Sequence, residues 1–274
     1  MLPSRAFALF ASMMWLAACS REHAAFIDPK LSPAAPHGGA RSTVPDGAAE
    51  TRMRPAPSKQ GALSVRNSSD RTGAYLLSAG FNLAPLPVML AFHGTDQSGA
   101  DMVSLFRNLA IDRTFIIVAP DSRSIDGHYN WQVGDGPGDV TEDYGHAMDC
   151  LAEVRAMPDV QFDDSVVLAV GFSGGGSSAP YLSTNEPLFE AFAVLHGGVI
   201  QGGIGSHRIP GWFSTGDDDP ARPPALVQQS VDYMKSLGFT SVKFTTYPGG
   251  HEVSSDEAAD VVTWWLSPAA TGRN

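Results

Sequence analysis

From about Leu63 onward, short and nearly continuous apolar runs alternate with longer stretches whose apolar residues return every three or four positions. The runs are "LPVMLAFHG" (86–94), "FIIVAPD" (115–121), "SVVLAVGF" (165–172), "AFAVLHGG" (191–198), "IPGWFSTG" (209–216) and "VKFTTYPGG" (242–250). A strand that is apolar at successive positions has both faces covered, which predicts parallel strands between layers of helix. Helical stretches fall between the runs at about 100–112, 140–157, 175–184, 222–237 and 256–266, as crossover connections require. "ALSVR" (62–66) and "AYLLSA" (74–79) predict antiparallel edge strands. The expected class is α/β, with a mostly parallel central sheet flanked by helices. Asp139 followed by Glu142 has the spacing of a capping box and predicts a helix N-cap at Asp139. Val227, Val231 and Met234, widened by Leu226, Tyr233 and Leu237, form a core-facing stripe on the fourth helix.

The first 61 residues read differently. "MLPSRAFALFASMMWLAACSRE" carries one basic residue and an apolar run from Ala6 to Ala18 that is short for a bilayer span, which predicts an export signal over 1–18. Its end, "LAAC", resembles the lipobox of bacterial lipoproteins. That resemblance implies a diacylglyceryl anchor on Cys19 and a membrane-held protein facing the periplasm or the cell exterior. Ordinary cleavage near the same point, leaving Cys19 as a free thiol, is the alternative, and it also places the protein outside the cytosol. Residues 19–61 are rich in Pro, Ala, Gly and Ser without an apolar period, and predict a flexible tether ahead of a folded domain at 62–268. Beyond Cys19 only Cys150 remains, so no internal disulfide is available. Cys150 lies at the edge of the stripe Tyr144, Ala147, Met148, Leu151 and Val154, where a buried inert thiol is expected.

Composition narrows the partners. With 43% hydrophobic and 17% charged residues, the 274-residue chain has material for one sizeable core. The formal net charge is −11, and removing the segment before Cys19 removes one cation, Arg5, giving −12. No cluster of Lys and Arg offsets this, so nucleic acid is excluded as the main partner.

The chemistry centres on "GFSGGG" (171–176), directly after a strand run. Two templates compete there: G-x-S-x-G over 171–175 and a dinucleotide-type G-x-G-x-x-A over 174–179. The second wants the first strand of its sheet and an acidic residue ending the next strand, and neither condition holds. The first needs a base and an orienting acid for its serine. "STGDDDP" (214–220) and "YPGGHEV" (247–253) supply both after strand runs, in the order Ser, Asp, His. His251 best fits the base, since imidazole titrates near neutral pH; His196 precedes every candidate acid and reads as structural. His128, His146 and His207 read as surface or cleft-rim residues. The histidines lack H-E-x-x-H spacing, and three adjacent aspartates do not make a calcium loop, so neither metal nor cofactor is expected.

Over about 63–266 the chain resembles the α/β-hydrolases, in particular the branch of polyhydroxybutyrate depolymerases and feruloyl and acetylxylan esterases. "LAFHGT" (90–95), "VAPD" (118–121), "NW" (130–131), "DV" (139–140), "GFSGGG", "GDDDP" (216–220) and "GGH" (249–251) carry the resemblance. It implies a Ser173 nucleophile on a tight turn between Gly171 and Gly175, with an oxyanion hole from the backbone N–H groups of Gly174 and Thr95. Its G-x-x-D pattern selects Asp219 as the acid, with Asp218 as runner-up. His93 and Gly94 belong to the oxyanion loop at the cleft, the His93 side chain ordering it. The loop at 124–138 offers Tyr129 and Trp131 as aromatic contacts to substrate, with packing beneath the loop as an equal reading. Only "VIQGGIGSHR" separates two of the later strands, so no large lid is expected, and an open cleft would take polymeric or aromatic esters. The resemblance implies an esterase working through an acyl-enzyme. A peptidase, thioesterase or other acyl hydrolase on the same fold, and a non-catalytic envelope lipoprotein, are the alternatives.

Overall fold

The computed structural model describes residues 53–197, 200 and 202–272. The export segment 1–18, the anchor residue Cys19 and the tether up to residue 52 lie outside the described residues.

Eight strands form one sheet: β1 (Lys59–Ala62), β2 (Gly73–Leu77), β3 (Leu86–Phe92), β4 (Ile116–Pro120), β7 (Phe162–Phe172), β8 (Ala191–Leu195), β9 (Gly211–Gly216) and β10 (Val242–Tyr247). Their order across the sheet is β1-β2-β4-β3-β7-β8-β9-β10. β1 and β2 run antiparallel to their neighbours, and every pairing from β4 to β10 is parallel. β5 (Arg123–Ile125) and β6 (His128–Asn130) make a separate hairpin. Among the described residues the helices are α1 (Gly99–Arg113), α2 (Glu142–Arg155), α3 (Ser178–Asn185), α4 (Pro224–Ser236), α5 (Ser255–Leu266) and α6 (Pro268–Thr271).

The continuous apolar runs exist because each strand feeds two cores. Val88, Leu90 and Phe92 of β3 point into a cluster with Ala147, Leu151 and Val154 of α2, Ala179 and Leu182 of α3, and Val227, Val231 and Met234 of α4. Met89 and Ala91 point the other way, toward Met102, Val103 and Phe106 of α1 and Val261, Val262 and Trp265 of α5. Burying each such side chain contributes about 1.5–3 kcal/mol, so one strand holds both helical layers in place. The α4 stripe faces the core as its spacing predicts.

Four local expectations are corrected. β1 starts at Lys59, inside the predicted tether, and the folded part reaches back at least to Ala56, whose N–H donates to Asn82 Oδ1 at 2.8 Å. β1 has no apolar period because it is a mostly exposed edge strand, paired to β2 through its backbone. After Ala62 the rest of "ALSVR" leaves the sheet, and the N–H groups of Ser64 and Val65 turn to the Glu153 carboxylate instead. Helix α2 is capped by Thr141, whose Oγ1 accepts the Tyr144 N–H at 3.2 Å, not by Asp139. The Asp139 carboxylate accepts the Gly136 N–H at 2.8 Å and so closes the preceding turn. His146 is buried, not at the rim, with Nε2 2.8 Å from the Thr72 carbonyl. Cys150 is buried beside it, and burial pushes its thiol pKa well up, as an inert core thiol requires.

Candidate active site

The loops after β3, β7, β8, β9 and β10 all emerge at the carboxyl ends of parallel strands, where open α/β sheets place their sites. At the end of β7 the chain enters a short 3-10 turn, Ser173–Ser177, before α3. Ser173 has φ +50°, a left-handed conformation that an L residue holds only when its surroundings enforce it. Those surroundings are visible. A Cβ on Gly171 would lie 2.0 Å from the Gly175 carbonyl oxygen, and one on Gly175 would lie 2.4 Å from that of Phe92. Glycine at both positions lets β7, the turn and β3 close on one another.

His251, in the loop after β10, places Nε2 2.8 Å from Ser173 Oγ and Nδ1 2.8 Å from Asp219 Oδ2. Asp219 is buried in the turn after β9. Its Oδ1 accepts the N–H groups of Ala221 and Arg222, each at 2.8 Å, and its Oδ2 accepts the Thr215 hydroxyl at 3.1 Å. Burial alone would raise this carboxyl, but hydrogen bonds from His251, His196 and the Arg222 N–H outweigh it and hold Asp219 well below the usual carboxylate range. Asp217 and Asp218 are exposed. The Asp217 carboxylate accepts the Gly249 N–H at 3.0 Å and steadies the loop that carries His251. The structure thus brings Ser173, His251 and Asp219 into one hydrogen-bonded line and leaves Asp218 outside it.

Thr95 and Asn130 crowd Gly174. A Cβ there would come within 2.7 Å of Thr95 Oγ1 and of Asn130 Oδ1, and 3.2 Å of the Thr95 backbone nitrogen. The Thr95 backbone nitrogen therefore lies close beside Gly174, the residue that follows Ser173. The loop that carries Thr95 is laced in place. The Gly94 N–H donates to Gln97 Oε1 at 2.9 Å, the Asp96 N–H donates to the Tyr129 carbonyl at 2.8 Å, and the Tyr129 N–H donates to Asp96 Oδ1 at 2.8 Å.

His93 is fully buried, so it orders this loop from beneath and does not line the cleft. Its Nε2 accepts the Ser122 N–H at 2.9 Å, and Nδ1 lies 2.6 Å from the Gly94 carbonyl, which makes it a neutral imidazole with the proton on Nδ1. Burial pushes its pKa down from 6.5 to about 4. Trp131 is also buried, edge-on to Phe92 with centroids 5.0 Å apart, and its Nε1–H donates to the His93 carbonyl at 2.8 Å. Packing, and not substrate contact, is what its geometry provides. Tyr129 is 42% exposed and is backed by the Arg71 guanidinium 4.0 Å from its ring centre. A groove of about 410 Å³ opens beside His251, with Met102, Leu105, Phe172 and Val253 as apolar walls and Asp101 and Glu252 at its margin.

Sequence reasoning missed one feature. His196, at the end of β8, is fully buried, has φ +48°, and shares Asp219 with His251: its Nδ1 lies 2.8 Å from Asp219 Oδ2. Its Nε2 lies 3.1 Å from Oε2 of Glu257, which is also fully buried. Glu257 stands three residues after the N-cap Ser254, so in sequence it matches a capping-box glutamate; no local pattern announces that it turns inward. His196, Asp219 and His251 are also, among the described residues, the group whose ligating atoms lie within 4.8 Å of one another, close enough for a metal ion. In this arrangement their ring nitrogens and the Asp219 carboxylate are committed to hydrogen bonds with one another, Ser173 and Glu257.

No protein-family model matches the chain. Among solved structures it is similar to a ferulic acid esterase at 16% identity, covering 80% of this chain and 100% of that one with TM-score 0.57. It is similar to esterase PE8 at 19% identity, covering 73% and 98% with TM-score 0.53. It is also similar to an acylaminoacyl peptidase of Pyrococcus horikoshii at 15% identity, covering 78% and 41% with TM-score 0.53. At these identities the likeness speaks to fold: the chain has the α/β-hydrolase fold, a mostly parallel sheet flanked by helices, with no large lid among the described residues.

Proposed function

We propose that the protein is a serine hydrolase that cleaves carboxylic esters through an acyl-enzyme. The observation that carries this reading is the line Ser173 Oγ, His251 Nε2, His251 Nδ1, Asp219 Oδ2, with both hydrogen bonds at 2.8 Å. His251 takes the Ser173 proton as Oγ bonds to the ester carbonyl carbon, and Asp219 orients the ring and stabilises the imidazolium. The carbonyl oxygen becomes an oxyanion that the N–H groups of Gly174 and Thr95 receive. On collapse, His251 Nε2–H protonates the departing alcohol, and the same residues then activate water against the acyl-enzyme. An ester in place of an amide is supported by the names of two proteins of like fold, a ferulic acid esterase and an esterase.

The groove beside His251 supports a substrate with an apolar portion, and the exposed Tyr129 supports an aromatic or polymeric one. Export and a lipid anchor at Cys19 belong to the same proposal, supported by the apolar run at Ala6–Ala18 and "LAAC". A panel of p-nitrophenyl esters, thioesters and p-nitroanilides, run beside Ser173→Ala, tests it. The expected order puts esters first with activity abolished in the variant; preferential anilide cleavage would point to a peptidase.

A further inference from the structure

The site holds one more buried carboxyl group than a serine, histidine and aspartate need. Asp219 and Glu257 are both buried, 2% and 0% exposed, and the one ring that touches both is His196. Two anions enclosed so close together are costly unless a cation lies between them. His196 is faced by Asp219 from the turn after β9, by Glu257 from α5, by the His251 ring with centroids 5.6 Å away, and by Phe172 of β7 at 5.9 Å. A carboxylate oxygen on each ring nitrogen is satisfied only if both nitrogens carry a proton, since an ionised carboxylate can only accept.

We propose that His196 is a positioning residue, an imidazolium clamped between Asp219 and Glu257 that fixes the Asp219 carboxylate toward His251. The inference rests on the proposed hydrolase reading for its kinetic consequence but not for its geometry. The competing arrangement is specific. The Gly216 N–H approaches His196 Nδ1 at 3.3 Å, longer than the 2.8 Å contact with Asp219. If that N–H were donating to a bare nitrogen, Asp219 would have to carry the proton itself and would no longer present an anion to His251. The net direction of the His196 pKa is upward: burial opposes protonation, but the bonds to Glu257 and Asp219 outweigh it.

Histidine-selective ¹⁵N and imino-proton NMR of the full chain tests this without reference to activity. Two N–H protons are expected to persist on the His196 ring at pH values above about 6.5, where an ordinary histidine has lost its charge. The His196→Gln variant assigns the signals by their loss. If that variant does not fold, Glu257→Gln assigns them, because only the Nε2 proton should then titrate. A ring with a single proton across this range would overturn the proposal.

Kinetics give the second readout. Removing a cation 5.6 Å from the His251 ring in His196→Gln should move the acid limb of kcat/KM upward by about one pH unit. It should lower kcat about tenfold or more and change KM less than about twofold. A folded variant with an unmoved limb and unchanged kcat would overturn the positioning role. A two-proton ring in a protein whose Ser173→Ala variant keeps full activity would instead defeat the hydrolase reading and leave the clamp in place.

Discussion

His93 sets an acid limit on the fold, and its size follows from the structure. In the folded protein the ring is buried and neutral, with Nε2 accepting the Ser122 N–H. Protonating Nε2 replaces an acceptor by a second donor facing that N–H. Burial lowers the folded pKa from 6.5 to about 4, while the unfolded chain keeps the ordinary value. Between these two values the unfolded state binds the extra proton, so stability rises with pH there. The contribution is fully present above about pH 6.5 and is lost as pH falls toward about pH 4. At 1.36 kcal/mol per unit, the full window is worth about 3 kcal/mol, of which about 2 kcal/mol is lost between about pH 7 and about pH 5. Urea unfolding of the wild type and of His93→Gln across this range isolates the term, because glutamine does not titrate and all other groups are shared. The gap between the two stability curves should shrink by about 2 kcal/mol from about pH 7 to about pH 5. Parallel curves would refute the reasoning, since they would mean that His93 is charged or solvated in the folded state.

Further outcomes follow from the same geometry. Asp219→Asn should lower kcat/KM by about ten-thousand-fold, because the amide cannot hold the same tautomer of His251, whereas Asp218→Asn should stay within about threefold; steady-state ester hydrolysis decides between them. Gly171→Ala drives a methyl to 2.0 Å from the Gly175 carbonyl oxygen and should cost about 3 kcal/mol in urea unfolding. Leu105→Trp, at a half-buried wall position, narrows the groove beside His251 and should lower kcat/KM for long-chain esters about tenfold or more relative to acetyl esters. An unchanged chain-length profile would mean that the groove holds no part of the substrate. Cys19→Ser should release the protein from membranes without loss of specific activity, and an unmodified soluble wild type, read by mass, would defeat the anchor proposal.

The sheet and its helices were legible because burial on both faces leaves a mark in composition: runs such as "LPVMLAF" and "SVVLAVGF" admit few other placements. β1 left no such mark, since an exposed edge is held by backbone hydrogen bonds that any residue can make. Ser173, Asp219 and His251 were legible because each sits directly after a strand, in an order that the topology brings to one edge of the sheet. The choice among three consecutive aspartates came from a family pattern, and the structure gives its physical ground: only Asp219 turns inward while its other oxygen caps the N–H groups of Ala221 and Arg222. The inward turns of His196 and Glu257 were not legible. They depend on how α5 packs beside β8, and a helix-start glutamate looks the same whichever way it points.

The central claim is that Ser173 is a nucleophile activated by His251. Treating the protein with a fluorophosphonate and mapping the adduct by peptide mass tests it most directly. The account predicts a single adduct on Ser173, formed in step with loss of ester hydrolysis, slowed sharply in His251→Ala and absent in Ser173→Ala. Inactivation without an adduct at Ser173, or undiminished hydrolysis in Ser173→Ala, would contradict it.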